Sequence, residues 1–422
     1  MRPATQRLAA VDEANLVLDH AGQVNVFLVA GVLTHGGFVD RYGAPDLAAL
    51  RTALRKRIEA LPPLRKVPVA AGRRHRWVEA PPDVEHHIRL IEAVDGLAGL
   101  ERLCGDLMSV PLGLDRPLLE LLVVPGVSAG QIGVVLRIHH AIADGMAAVA
   151  IVHQLFDSPQ SREMSAHMPA VRAPTPAQQR DLRHILGRIV FSLRRIRITL
   201  SGREVASTVL LGQRSPHRGV AFLAADLAAL ETRARPLGAT VNDALLAAVA
   251  SGYLAALPAA GEQIPARLPV SVPVALQRRG TSANQVGVML VRLPLGEPDP
   301  DHRLRLIAEQ TREEKGRARE QGTLEFMRGP IGARIMDRVA RRQHLVAGFV
   351  TNVPGPAGTL RLAGAPVVAI WPVAVLAANV RLGVAAVSYD GRLRCGIHYD
   401  AASVPGTEFA RAMGEELARL SR

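Results

Sequence analysis

Hydrophobic and polar positions along this chain follow two periods in turn. Short runs rich in β-branched residues recur at Val24 to Leu33, Gln131 to Ile138, Ala266 to Leu276, Asn284 to Leu293, His344 to Val353, Val367 to Val373, Val380 to Tyr389 and Leu393 to Tyr399, and these predict strands. Between them, apolar residues fall at helical spacing over Leu8 to Leu18, Asp46 to Leu61, Leu97 to Met108, Met146 to Phe156, Ala239 to Leu257 and Thr407 to Leu420. Asp46 opens its helix and Pro62 and Pro63 stop it; Thr240 lies near the start of the fifth helix and Pro258 reads as its stop. Asp301 to Glu320 predicts a charged helix with a mostly solvated face, and the residues around Trp77 and after His86 and His87 predict strands. Interleaved helices and strands in both halves imply an α/β fold of two layers.

Two stretches invite a different reading and lose it on pattern. Leu362 to Val380 carries no charge over about the length of a membrane span, yet contains Pro366, Pro372 and Asn379, so it predicts two buried strands and a turn. Gly126-Val127-Ser128-Ala129-Gly130 fits the GxSxG of a hydrolase nucleophile elbow, which requires a strand, a sharp turn and a helix. Here strand-like residues stand on both sides, so Ser128 is expected in a hairpin turn.

After Phe156 the periodicity stops in a segment of scattered Pro, Ser and Gln. This divides the chain into a first half over residues 1–157, a crossover over 158–218 and a second half over 219–422. Within the crossover, Leu182 to Leu200 mixes apolar residues with Arg183, Arg188, Arg194, Arg195 and Arg197. Such a basic amphipathic helix suits an anionic membrane surface, or equally a helix packed on its own protein with its arginines solvated.

Chemistry concentrates in His139-His140-Ala141-Ile142-Ala143-Asp144-Gly145, between a predicted buried strand and a predicted helix. Adjacent strand residues point to opposite sides, so the two imidazoles cannot serve one site together. One is expected to do chemistry and the other to hold structure. The same parity leaves His139, His140 and Asp144 short of a metal-ligand set, and no metal site is expected. An imidazole titrating near pH 6.5 is suited to general-base work. Asp144 ahead of an apolar helix also reads as an N-cap.

Composition narrows the partners. The 422 residues carry a net charge of +13, almost all from arginine, since Lys56, Lys66 and Lys315 are the only lysines. No zinc-ligand spacing or RNA-binding aromatic motif accompanies that charge, so no nucleic-acid partner is expected. Cys104 and Cys395 show no CxxC spacing and imply a reducing compartment. The charged residues among the apolar ones near the start argue against a signal peptide, which makes the expected location cytoplasmic.

The heptapeptide resembles the HHxxxDG signature of chloramphenicol acetyltransferase-like acyltransferases. The opening LAAVDEANLVLDHAGQVNVFLVAGVL, PLGLDRPLLE before the motif, GATVNDALLAAV after it and TNVPGP near the end are similar, in that order, to the bacterial wax ester synthase/diacylglycerol acyltransferase family. The resemblance implies two chloramphenicol acetyltransferase-like subdomains in a V with the active-site tunnel between them. It implies that His140 is the base, with His139 beside it in the motif, that Asp144 holds local structure by pairing with a distant arginine, and that Gly145 leaves the channel open. Arg278, next to Arg279, is the candidate partner. Asn242 and Asp243 match the family's ND motif, where structural support of a helix start outweighs chemistry; Asn284 matches an asparagine after a glycine, although Ser282 and Ala283 stand before it here. Asn352 matches the NVPGP loop. The implied reaction moves a fatty acyl group from acyl-CoA, the co-substrate, to a diacylglycerol or long-chain alcohol, with no cofactor, metal or covalent intermediate, at an anionic membrane or lipid-droplet surface. Leu119 stands where the family often has Trp. A polyketide or glycolipid acyltransferase using a CoA or carrier-protein thioester, and a non-catalytic lipid-binding protein, remain as alternatives.

Overall fold

The computed structural model describes residues 5–19, 23–72, 74–143, 145–157, 204–276, 285–321, 330–356 and 358–422. In the first half the elements are β1 (Thr5–Arg7), α1 (Ala10–Leu18), β2 (Val26–Thr34), α2 (Leu47–Glu59), β3 (Lys66–Ala71), β4 (Arg74–Glu79), α3 (Val84–His87), β5 (Ile88–Leu90), α4 (Gly96–Leu107), β6 (Leu119–Ser128), β7 (Gln131–His139) and α5 (Gly145–Leu155). The second half supplies β8 (Arg218–Asp226), α6 (Leu227–Ala234), α7 (Val241–Ala259), β9 (Leu268–Leu276), β10 (Gln285–Leu293), α8 (Pro300–Gln321), α9 (Pro330–Ala340), β11 (Gly348–Val353), β12 (Arg361–Leu362), β13 (Ala365–Val373), β14 (Leu382–Tyr389), β15 (Arg392–Asp400) and α10 (Gly406–Arg419).

Two six-stranded sheets organise these elements, in the orders β12-β13-β2-β7-β6-β5 and β10-β9-β11-β14-β15-β8, beside a small sheet β1-β4-β3. Strand alternation builds a core on each face of the first sheet. Ile132, Val134, Leu136 and Ile138 of β7 pack with Leu50, Leu54 and Ile58 of α2 and with Ile151 and Leu155 of α5. Val135 looks the other way, toward Leu28, Ala30, Leu122 and α4. α2 forms where expected because Asp46 accepts the Ala49 N–H at 2.9 Å, Leu50, Leu54 and Ile58 share one face, and Lys56 and Arg57 suit its C-terminus. The second sheet is covered by α7, whose length and apolarity would allow a membrane span. Its Ala244 to Ala250 stretch is buried among Val270, Val350, Leu382, Phe409 and Met413, which makes it a core helix.

The hairpin expectation for the GxSxG stretch holds: Ser128 pairs with Gln131 across the β6–β7 turn. Gly126, at φ 85°, lies so close to Val94 that a Cβ would sit 2.1 Å from its carbonyl oxygen. The strand expected after His86 and His87 is β5, and the two histidines lie ahead of it in the short helix α3, capped by Asp83. Other expectations need correction. Pro258 falls inside the last turn of α7 and does not end it. The charged helix α8 has a buried face made by Leu304, Ile307, Ala308 and Thr311.

The division of the chain also differs from 1–157, 158–218 and 219–422. Residues 204–218 are already part of the second half, since Val205, Leu210 and Leu211 enter its core and Arg292 holds Glu204 through two bonds of 2.8 Å. Conversely β12 and β13 leave the second half, β13 pairing antiparallel with β2 so that Trp371 lies opposite Ala30. Trp371 is where the halves meet: it stacks on Phe222 of β8 at 4.8 Å and its indole N–H donates to the Leu223 carbonyl at 3.1 Å. The predicted helix Leu182 to Leu200 lies outside the described residues.

Candidate active site

The histidine pair closes β7. Val26 of β2 is the register partner of His139, and the His139 N–H donates to the Leu118 carbonyl at 3.1 Å. His139 is fully buried, on the face opposite Ile138. Its Nδ1 accepts the Ala141 N–H at 2.9 Å, which leaves Nε2 to carry the proton toward Asp19 Oδ2 at 3.2 Å. One tautomer alone satisfies both contacts. His139 is thus wholly engaged in holding the turn that follows it.

His140 is half-buried and begins that turn. Its main chain is gripped on both sides, the N–H donating to the Asn25 carbonyl at 3.0 Å and the carbonyl accepting from Asn15 Nδ2 at 3.0 Å. Asn25 Nδ2 in turn donates to the Asn15 carbonyl at 2.8 Å, and the Asn25 N–H donates to Asp19 Oδ1 at 2.8 Å. The His140 ring meets Phe27 edge-on, with centroids 5.3 Å apart and planes at 68°. The backbone is fixed by amides and the ring by an aromatic wall, an arrangement that presents one imidazole in a set orientation. Gly145, the last residue of the motif, opens α5. Asp144, Arg278 and Asn284 lie outside the described residues.

The structure gives Asp243 a complete set of structural duties. With Thr240 it makes a capping box at the start of α7: its Oδ2 accepts the Thr240 N–H at 2.8 Å and hydroxyl at 2.7 Å, and its Oδ1 accepts the Thr311 hydroxyl of α8 at 2.6 Å. Asn242 is half-buried in the same first turn. Asn352 lies near the end of β11, opposite Ala386 of β14, and the loop after it closes on that strand where the Gly355 N–H donates to Ser388 Oγ at 3.2 Å. Glu120, in the stretch where Leu119 replaces the Trp, is nearly buried between Arg89 and Arg137. Burial pushes its carboxyl up, but the hydrogen bonds from the two guanidinium groups outweigh this and hold it below the usual range.

Sequence reading missed Asn15, Asp19 and Asn25, the three residues whose hydrogen bonds fix the His140 main chain. One local signal points to Asp19. An acidic residue directly after the apolar run of α1 opposes the helix dipole, so it needs a compensating partner elsewhere.

With this geometry in place, comparison with known proteins gives one answer. The wax ester synthase/diacylglycerol acyltransferase catalytic domain profile matches residues 8–206, and the C-terminal domain profile of the same family matches 282–421. A protein named as a diacylglycerol O-acyltransferase in Mycobacterium tuberculosis is 30% identical over 358 residues, covering 76% of this chain and 75% of its own. Among solved structures, the wax ester synthase/diacylglycerol acyltransferase from Marinobacter aquaeolei VT8 superposes with a TM-score of 0.74 at 20% identity, covering 98% of both chains. The starter condensation domain of rhizomide synthetase, solved with C8-CoA, shares the fold at a TM-score of 0.57 and 14% identity, covering 99% of this chain and 94% of its own. A chain that matches two successive domain profiles of one family, and a relative of that kind at 30% identity over three quarters of both chains, belongs to the wax ester synthase/diacylglycerol acyltransferase family of acyltransferases.

Proposed function

We propose that this acyltransferase moves a fatty acyl group from acyl-CoA to the hydroxyl of a diacylglycerol or long-chain alcohol, giving triacylglycerol or wax ester, with His140 as general base. The observation that carries the reading is the end of β7, where every described hydrogen bond of the His140 main chain is internal and the ring is oriented by Phe27. The names of its relatives and the CoA ester bound by a structural neighbour supply the substrate classes.

In this mechanism the imidazole takes the hydroxyl proton as the oxygen attacks the thioester carbonyl. The tetrahedral oxyanion collapses, the C–S bond breaks, and the imidazolium returns its proton to the departing thiolate. Proton and charge balance without a cofactor, a metal or a covalent enzyme intermediate. General-base help of this kind contributes about 10²- to 10⁴-fold, and positioning and oxyanion hydrogen bonds supply the rest. By the family resemblance, Asp144 would hold local structure by pairing with the candidate arginine Arg278, Gly145 would leave the channel open beside the base, and Asn284 and Asn352 would give structural or substrate-binding support. The +13 net charge favours work on the anionic inner face of a membrane or on a lipid droplet, where a water-borne thioester and an insoluble acceptor meet.

The test is thiol release from palmitoyl-CoA by the full chain, offered hexadecanol or dioleoylglycerol, beside His140→Ala. Acceptor-dependent release should fall by about 10²- to 10⁴-fold in the variant while the protein stays folded. Undiminished release from His140→Ala would overturn the assignment of the base, and no release by the folded wild type with either acceptor would overturn the substrates.

A further inference from the structure

The hydrogen bonds around His140 converge on α1 and the turn after it, a segment to which the reaction assigns no chemistry. Asp19 is the node. One carboxylate oxygen receives His139 Nε2 at 3.2 Å and the other receives the Asn25 N–H at 2.8 Å. Through His139 it fixes the Ala141 amide, and through Asn25 it fixes the His140 amide, so the peptide units on both sides of His140 hang from one side chain. Asn15, one turn earlier on α1, takes the third anchor, the His140 carbonyl.

α1 is itself firmly mounted. Glu13, nearly buried, accepts the His75 N–H at 3.0 Å and meets His75 Nδ1 at 2.9 Å, which ties the helix to β4. Leu16 packs with Trp77, Leu118 and Ala141, so the same helix that bonds the turn also packs against it. The polar contacts set direction, and the apolar ones exclude water that would compete for them.

We infer that Asp19 is a positioning residue for acyl transfer, holding the His140 ring at the reacting atoms by fixing the tautomer of His139 and the main chain of Asn25. This rests on His140 being the base. A carboxylate is required because both of its neighbours are donors. An amide at position 19 would present an N–H to one of them, either turning His139 to the other tautomer, in which Nδ1–H faces the Ala141 N–H, or leaving the Asn25 amide without an acceptor.

The experiment compares wild type with Asp19→Asn, Asn15→Ala and His139→Asn in the palmitoyl-CoA assay, reading kcat, both KM values and thermal midpoints. Asp19→Asn should lower kcat by about 10- to 100-fold, the scale of a small misplacement of a reacting group, with each KM nearly unchanged. His139→Asn keeps an acceptor for the Ala141 amide and loses the link to Asp19. The double variant Asp19→Asn/His139→Asn should therefore lose less than the product of the single losses. Asn15→Ala puts the best helix former into α1 while releasing the His140 carbonyl, so kcat should fall with no loss of thermal midpoint. A structural role alone would make activity follow the midpoint in all variants. That pattern overturns the inference, as would wild-type kcat in Asp19→Asn or multiplicative losses in the double variant. Failure of the base assignment is recognised separately, by activity in His140→Ala.

Discussion

The histidine turn after β7 and the start of α7 are both polar clusters at the end of an element, yet they are built on opposite principles. At α7 the carboxylate of Asp243 is surrounded by its own helix start and by Thr311, and both of its oxygens accept hydrogen bonds. At the histidine turn, Asp19 and His139 are as completely engaged, but what they hold is the backbone on either side of a neighbouring half-buried imidazole. Buried polar groups must be paired in either case. Pairing that ends on itself makes a joint; pairing that ends on the main chain of a half-buried imidazole makes a mount for chemistry.

The widest test of this contrast sets Asp243→Ala against His140→Ala. Removing the Asp243 carboxylate breaks one half of the capping box of α7 and takes the shorter of two acceptors from the buried Thr311 hydroxyl, which keeps the Ala308 carbonyl at 3.2 Å. The expected loss is about 2 kcal/mol of stability, measured by denaturant unfolding. Activity per folded molecule should be nearly kept. His140→Ala should do the reverse, keeping stability and losing turnover. If Asp243→Ala protein, assayed well below its unfolding midpoint, loses turnover as His140→Ala does, the ND motif reaches the chemistry and the contrast is broken.

A smaller change sharpens the same side of the comparison. Thr311→Val preserves shape but removes the donor to Asp243 Oδ1, leaving one buried carboxylate oxygen short of a partner. A loss of about 1 kcal/mol is expected. Paired with Asp243→Ala in a double-mutant cycle, the two losses should overlap, because they delete the same bond from either end. Full additivity would mean that α8 and the α7 cap are independent.

Much of this was legible from local pattern. β7 is expected from Gln131 to Ile138 and runs to His139, and α5 begins at Gly145, one residue before the expected Met146. Long apolar periodicity within one element is local information. What escapes local reading is pairing at a distance. β13 joins β2 across more than half the chain, a choice that no periodicity in either strand records. Residues 204–218 are rich in polar residues and read as part of the crossover, although Leu210 is fully buried. Asp19 lies 120 residues from His139, and its position against the helix dipole was the single local trace of that contact. The heptapeptide marks where the chemistry is proposed; the residues that hold it are written elsewhere.

The joint between the two halves that carry the compared regions gives the smallest effect, and one with a definite sign. Glu101 of α4 accepts the Phe222 N–H of β8 at 2.6 Å, crossing from one half to the other. Burial raises its carboxyl above the usual range, and the opposing pulls of the Phe222 amide and Arg102 do not cancel that. The folded chain therefore holds this proton more tightly than the unfolded chain, so stability falls as pH rises through the window between the ordinary value of 4.5 and the raised one. Glu101→Gln retains an oxygen for the Phe222 amide and removes the titration. The expected outcome is a shallower decline of the unfolding midpoint across that window than in wild type, with turnover at neutral pH unchanged. Parallel declines in the two proteins would assign the pH dependence to other groups and leave the joint as a plain hydrogen bond.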